Sequence, residues 1–235
     1  MRTLLLFGLA LLTGCFGGFE PRDKECDELE AIPGDPVILA IGDSGFAWKN
    51  QRCKTIPDVV AVELQREVKH VAVNGAKITG GDHDITGQYE EGDWQWVIMD
   101  GGGNDVNNEC ECGLNCDAAL DRLISEDGAA GDIPRLVTRI RRDGPRVLLY
   151  GYFEIGPKAN YGFGDCVAEL DELRERQSRV PDAIEGVTFV DGRDAVTIDA
   201  NPKAYASDDV HPSHEGARLI GELIAQRIRE AEEAD

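Results

Sequence analysis

Four short segments of this 235-residue chain hold residue types that together could carry acyl-transfer chemistry. Gly42-Asp43-Ser44-Gly45 contains one of only five serines, so a hydroxyl nucleophile has few places to reside. Its glycine neighbours are small enough to let a hydroxyl stand clear of the backbone and a carbonyl approach it. Taken alone, the segment reads as a tight turn or a helix cap. Asn74-Gly75-Ala76 offers one more small residue with a backbone N–H. Gly101-Gly102-Gly103-Asn104-Asp105 offers several, plus a side-chain amide, a donor set suited to a developing oxyanion. A plain loop or a phosphate nest competes with that reading, but no P-loop lysine follows and Gly-x-Gly-x-x-Gly is absent there. Asp208-Asp209-Val210-His211-Pro212-Ser213 sets a carboxylate three residues before an imidazole, close enough for one turn of chain to join them. A carboxylate on one ring nitrogen fixes the tautomer and leaves the other nitrogen to take a hydroxyl proton.

The elements that must position these residues alternate between strand-like and helix-like patterns. Val37 to Ile41 is a continuous apolar run, as expected of a strand buried on both faces. Val71 to Val73, Trp96 to Met99, Arg146 to Tyr150 and Val187 to Val190 read as four more. Pro57 to Val68 has Val60, Leu64 and Val68 at helical spacing behind an N-terminal proline. Ile133 to Arg142 ends in arginines that suit a helix C-terminus, with Gly144 as its stop. Cys166 to Arg179 and Glu215 to Arg229 are two further helices. Such alternation predicts an α/β fold, a mostly parallel sheet with helices on both faces. A site is then expected outside the carboxyl ends of the strands, where three of the four segments begin.

With these residues in view, the sequence resembles the SGNH (GDSL) hydrolase family, whose four blocks occur here in order over residues 37 to about 225. The resemblance implies a flavodoxin-like, three-layer αβα sandwich with about five strands, and a serine ester hydrolase of the esterase or lipase kind. It makes Ser44 the nucleophile, His211 the general base and Asp208 its orienting partner. The Ser44 and Gly75 amides and the Asn104 side chain become the oxyanion hole, with Gly80 or Gly81 as alternatives to Gly75. Gly45 stands where a bulky aliphatic often follows the serine, which predicts a pliable serine loop. No metal or other cofactor is implied. An acyltransferase to a sugar or lipid hydroxyl would use the same residues, and a non-catalytic binding lipoprotein would keep the fold. The Gly-x-Ser-x-Gly elbow of α/β-hydrolases is absent. The expected partner is a small-molecule, lipid or glycan ester, met by a monomer.

The N-terminus predicts where this happens. Met1-Arg2 precedes the apolar run Leu4 to Leu12, far short of the roughly 20 residues that span a bilayer. Residues 1–14 therefore read as a secretion signal. Its end, Leu12-Thr13-Gly14-Cys15, resembles the bacterial lipobox, which implies lipidation of Cys15 and anchoring by more than one acyl chain. Residues 15–35 then form a lipidated tether, and 36–235 the hydrolase-like domain of an exported, membrane-anchored lipoprotein. The other six cysteines, Cys26, Cys53, Cys110, Cys112, Cys116 and Cys166, predict up to three disulfides in an oxidising compartment. Cys26–Cys53 is the expected pair, with Cys166 bonded to one of the 110–116 group. A metal knot at Cys110, Cys112 and Cys116 lacks the second ligand pair usual for zinc.

A net charge of −21, from 45 acidic against 24 basic residues, excludes nucleic acid as a partner. His83, between Asp82 and Asp84, reads as part of a solvated loop rather than a metal ligand. His70 and His214 read as structural or exposed, and Trp94 and Trp96 as core. Trp48, four residues past Ser44, is a candidate pocket wall if it is not simply packed.

Overall fold

The computed structural model describes residues 24–48, 53–81, 83–110, 112–113 and 116–234. The expected signal at 1–14 and the lipidation site Cys15 lie outside them. Five strands form one sheet: β1 (Ile38–Ile41), β2 (Val68–His70), β3 (Trp96–Met99), β4 (Arg146–Gly151) and β5 (Val187–Asp191). Every neighbouring pair is parallel and the order is β2-β1-β3-β4-β5. All residues of β1 and β3 are buried, which accounts for their unbroken apolar sequence.

Helices cover both faces. Helix α3 (Ile56–Leu64) packs against the long closing helix α10 (His214–Glu233). On the opposite face α5 (Gly103–Glu109) packs on both α6 (Asp117–Leu123) and α8 (Val167–Ser178), α7 (Asp132–Arg142) on α6 and β4, and α8 with the short α9 (Val180–Ala183) on β5. The result is the expected α/β three-layer sandwich.

The second strand falls three residues before the place the sequence suggests. Gln65 turns left-handed and ends α3, its amide bonded back to Ala61 and Val62 carbonyls. Val68, read as the last helical apolar position, instead opens β2. Val71 and Val73 still follow β1, donating to the Ala40 and Gly42 carbonyls at 2.9 and 3.1 Å. Their pairing runs on past the strand's formal end.

The described part of the expected tether is not a free spacer. Residues Lys24–Glu30 form helix α1, which packs on α3 and is bonded to the body by Cys26–Cys53. A second disulfide joins Cys112 to Cys166. Cys110 and Cys116 remain thiols, so two bridges form here rather than three. Burial and the neighbouring Cys116 push the Cys110 thiol up to about 12, which keeps it protonated.

The sheet order reverses between β1 and its two neighbours, since β2 lies on one side and β3 on the other. A crevice opens at the carboxyl ends of β1 and β3, the point at which such sheets bind ligands. The turns leaving these two strands carry Ser44 and Asn104.

Candidate active site

Ser44 opens a single helical turn, α2 (Ser44–Ala47), directly after β1. Asp43 caps it, accepting from the Gly45 amide at 2.8 Å. The turn is held from two further directions. Gln88, at the end of α4 (Ile85–Gln88), bonds the Gly42 peptide twice, accepting from its N–H at 2.7 Å and donating to its C=O at 2.9 Å. Asp100, at the end of β3, accepts from the Asp43 amide at 2.7 Å. Its carboxyl lies so close beneath the turn that a Cβ on Gly42 or on Gly45 would collide with it. The glycine after the serine therefore serves a close approach, and the serine loop is braced where the sequence predicted it pliable.

His211 arrives from the other end of the chain. Asp208 Oδ1 accepts from the Val210 and His211 amides, both at 3.0 Å, closing a tight turn in which Asp209 takes a left-handed φ of 56°. Asp208 Oδ2 lies 2.9 Å from His211 Nδ1, and His211 Nε2 lies 2.9 Å from Ser44 Oγ. Burial raises the proton affinity of Asp208, but the bonds from His211 and Val210 outweigh it and hold the carboxyl below its ordinary range. An ionised Asp208 accepts a hydrogen bond from Nδ1–H, so Nε2 presents its lone pair to the serine hydroxyl. The Trp48 ring stacks flat on the imidazole, 3.8 Å between centroids and 6° apart, fixing the plane in which His211 meets Ser44.

The third segment behaves differently from a set of waiting donors. Asn104 Nδ2 donates at 3.0 Å to Asp43 Oδ2 and at 3.0 Å to the Ala76 carbonyl, so both of its amide protons are engaged. It thereby ties the Ser44 turn to the turn containing Gly75. The Ser44 and Gly75 amides have no acceptor among the described residues, and Gly75 holds a left-handed φ of 76°. Gly80, the alternative to Gly75, donates its amide to Asp84 Oδ2 at 3.0 Å, and Gly81 is exposed beside it. Asp105, next to Asn104, accepts from the Ile78 amide at 2.9 Å and from Arg122 at 3.1 Å, anchoring the same neighbouring loop.

Three participants carry no sequence signal that could have singled them out: Gln88, Asp100 and Tyr152. The Tyr152 hydroxyl donates to Asp43 Oδ2 at 2.6 Å and accepts from the Gly103 amide at 3.2 Å. Each acts on a residue at least 46 positions away, and only the fold brings them together. Burial pushes the Asp43 carboxyl up, against the bonds it receives from Gly45, Tyr152 and Asn104. Among the described residues no cluster of His, Cys, Asp and Glu could hold a metal ion, and Cys112 is committed to Cys166. Trp96 is core, while Trp94 is half-buried and caps its indole N–H on the Glu90 carbonyl.

The arrangement can deprotonate a hydroxyl held between an imidazole and a pair of unengaged amides, which is acyl-transfer chemistry. Comparison with known proteins points the same way. The profile of the GDSL-like Lipase/Acylhydrolase family matches residues 40–219. A carbohydrate acetylesterase family member from Sinorhizobium meliloti superposes with a TM-score of 0.62 at 18% identity, covering 84% of this chain and 99% of that one. A GDSL-like lipase from Bacteroides thetaiotaomicron VPI-5482 does so with 0.60 at 18% identity, covering 90% and 98%. For an alpha/beta hydrolase enzyme from the metagenome of Lake Arreo, Spain, the figures are 0.55, 20%, 83% and 93%. At such identities the likeness is one of fold. No curated protein matches the sequence.

Proposed function

Because the chain belongs to the GDSL-like lipase/acylhydrolase family, we propose that it hydrolyses carboxylic esters, with Ser44 as nucleophile, His211 as general base and Asp208 as the group that orients it. The observation that carries this reading is the unbroken relay from Asp208 through His211 to Ser44, with both links at 2.9 Å. Ser44 Oγ attacks the ester carbonyl as His211 Nε2 takes its proton. The tetrahedral oxyanion rests on the Ser44 and Gly75 amides, with the Asn104 amide beside them. His211 then gives the proton to the departing alcohol, and a water activated by the same nitrogen releases the acid.

Labelling the protein with a fluorophosphonate serine probe tests the reading. One adduct on Ser44 is expected, absent from the Ser44→Ala variant, whose ester hydrolysis should fall by about 10⁴-fold or more. A probe that leaves Ser44 untouched while the chain stays folded removes the proposal.

A further inference from the structure

An exposed tyrosine beside a reactive site means little by itself, since single apolar side chains on a surface are ordinary. Tyr161 is set apart by its backbone, its anchorage and its place. Among the described residues it is the one large hydrophobic side chain left exposed, with 67% of its surface open to solvent. Its φ is 59°, in the left-handed region that a bulky residue seldom adopts. Strain of this kind persists only where the surroundings impose it, and it gathers where ligands are held.

The surroundings that impose it belong to the site. Asn107, three residues along α5 from Asn104, donates to the Tyr161 carbonyl at 2.9 Å. On the other side the Asn160 amide donates to the Asp208 carbonyl at 3.0 Å. Gly162 follows with a φ of 86°, and a Cβ there would stand 2.9 Å from Asn107 Oδ1, so the bend is tight against α5. Tyr161 is therefore held between the helix of Asn104 and the turn of Asp208 and His211. Its phenol ring lies 6.3 Å from the His211 imidazole between centroids, tilted by 58°.

The reaction decides which half of an ester reaches that ring. As Ser44 Oγ bonds to the carbonyl carbon, the carbonyl oxygen turns to the Ser44 and Gly75 amides. The C–O bond to the alcohol then breaks, and the alcohol oxygen takes its proton from His211 Nε2, within hydrogen-bond reach of it. What that oxygen carries must therefore lie beside His211. Trp48 already fills one face of the imidazole, and Tyr161 is the aromatic neighbour left open to solvent. Phe153, Ile155 and Leu170 line the buried side of the Ser44 cavity, an apolar place for the acyl portion.

Resting on the esterase reading above, we infer that Tyr161 is a platform for the alcohol portion of the substrate, and that the alcohols it favours bear a ring. A ring carried close to the ester oxygen can lie on the face or edge of the phenol. A short acyclic alcohol leaves the phenol in water.

The test uses three esters on the full chain. Benzyl acetate has its ring on the alcohol, ethyl phenylacetate has its ring on the acid, and ethyl acetate has none. Tyr161→Asn removes the ring and suits a left-handed backbone, so the bend is kept. It is expected to lower kcat/KM for benzyl acetate about fivefold, through KM, the size of one aromatic contact. The two ethyl esters should change by less than about twofold, and so should benzyl acetate with Tyr161→Phe, which keeps the ring. A loss on ethyl phenylacetate in place of benzyl acetate would set the ring against the acyl portion and overturn the assignment. An equal loss on all three esters would make Tyr161 a support for His211, and no loss on any would make it a bystander; either overturns the platform. In each of these cases Ser44 still takes the fluorophosphonate label, and the esterase reading stands. Absence of both label and hydrolysis removes that reading, and the platform falls with it.

Discussion

Asn104 braces the site and, on the function proposed above, also meets the oxyanion, and one substitution separates the two. Its amide bridges Asp43 and the Ala76 carbonyl, so it braces the two turns that carry the Ser44 and Gly75 amides. An oxyanion forming at Ser44 is an alternative acceptor for the proton now donated to Asp43. Asp43 can release it, because Tyr152 and Gly45 still donate to the same carboxyl. The interaction would strengthen only as charge develops, which is the condition for lowering a barrier. Asn104→Ala is therefore expected to lower kcat about a hundredfold, the usual effect of losing one oxyanion donor, with KM within about twofold. It should also cost about 1 kcal/mol of stability for the bonds it removes. Steady-state kinetics with a melting curve separates the two. A lowered melting temperature with kcat unchanged would make Asn104 a brace alone.

Among the elements, β1, β3, β4 and β5 were legible as short strand-like runs, β1 as a continuous apolar one, and the glycine-rich turns leaving β1 and β3 were legible as a place for chemistry. Helix α3 was legible at its start, where Thr55 and Asp58 form a capping box, but not at its end. Gln65 gives no local warning of a left-handed cap, and Val68 fits helical spacing as well as it fits a strand. Gln88, Asp100 and Tyr152 were illegible for a different reason: their work is done on backbone and carboxyl groups distant in sequence. Asp100 shows what such a residue contributes where β3 meets the α2 turn. Burial drives its carboxyl well above the ordinary range, the nearby Asp43 charge adds to this, and bonds from backbone amides offset only part. A carboxyl with raised proton affinity in the folded state supports folding fully below its unfolded value and loses that support as pH rises through the folded one. Each tenfold change in affinity corresponds to about 1.4 kcal/mol. Asp100→Asn keeps the Oδ1 acceptor for the Asp43 amide and cannot ionise. Its melting temperature relative to the unaltered protein should therefore climb steadily from about pH 4 towards neutrality. A difference that stays constant across that range would mean that Asp100 ionises alike in the folded and unfolded chains and is not raised by its burial.

For the molecule as a whole, a charge of −21 on 235 residues works against compactness, since like charges repel more strongly when the chain is folded. Ion pairs offset part of this, as where Arg122 draws together Asp105, Glu109 and Asp132. Such pairs are partly exposed and individually weak. A covalent link is a more dependable restraint. Cys26–Cys53 closes 27 residues of chain and binds α1 to the face formed by α3 and α10. Closing a loop of that length restricts the unfolded chain by roughly 3 to 4 kcal/mol. For a domain of this size each kcal/mol moves the melting temperature by about 2 to 4 °C. Replacing both cysteines by serine should thus lower it by about 10 °C, as differential scanning fluorimetry would show. Activity at 25 °C should change by less than about twofold, because α1 carries none of the residues around Ser44 and His211 and a folded majority remains. An unchanged melting temperature would show that α1 is held by its packing on α3 and owes nothing to the bridge.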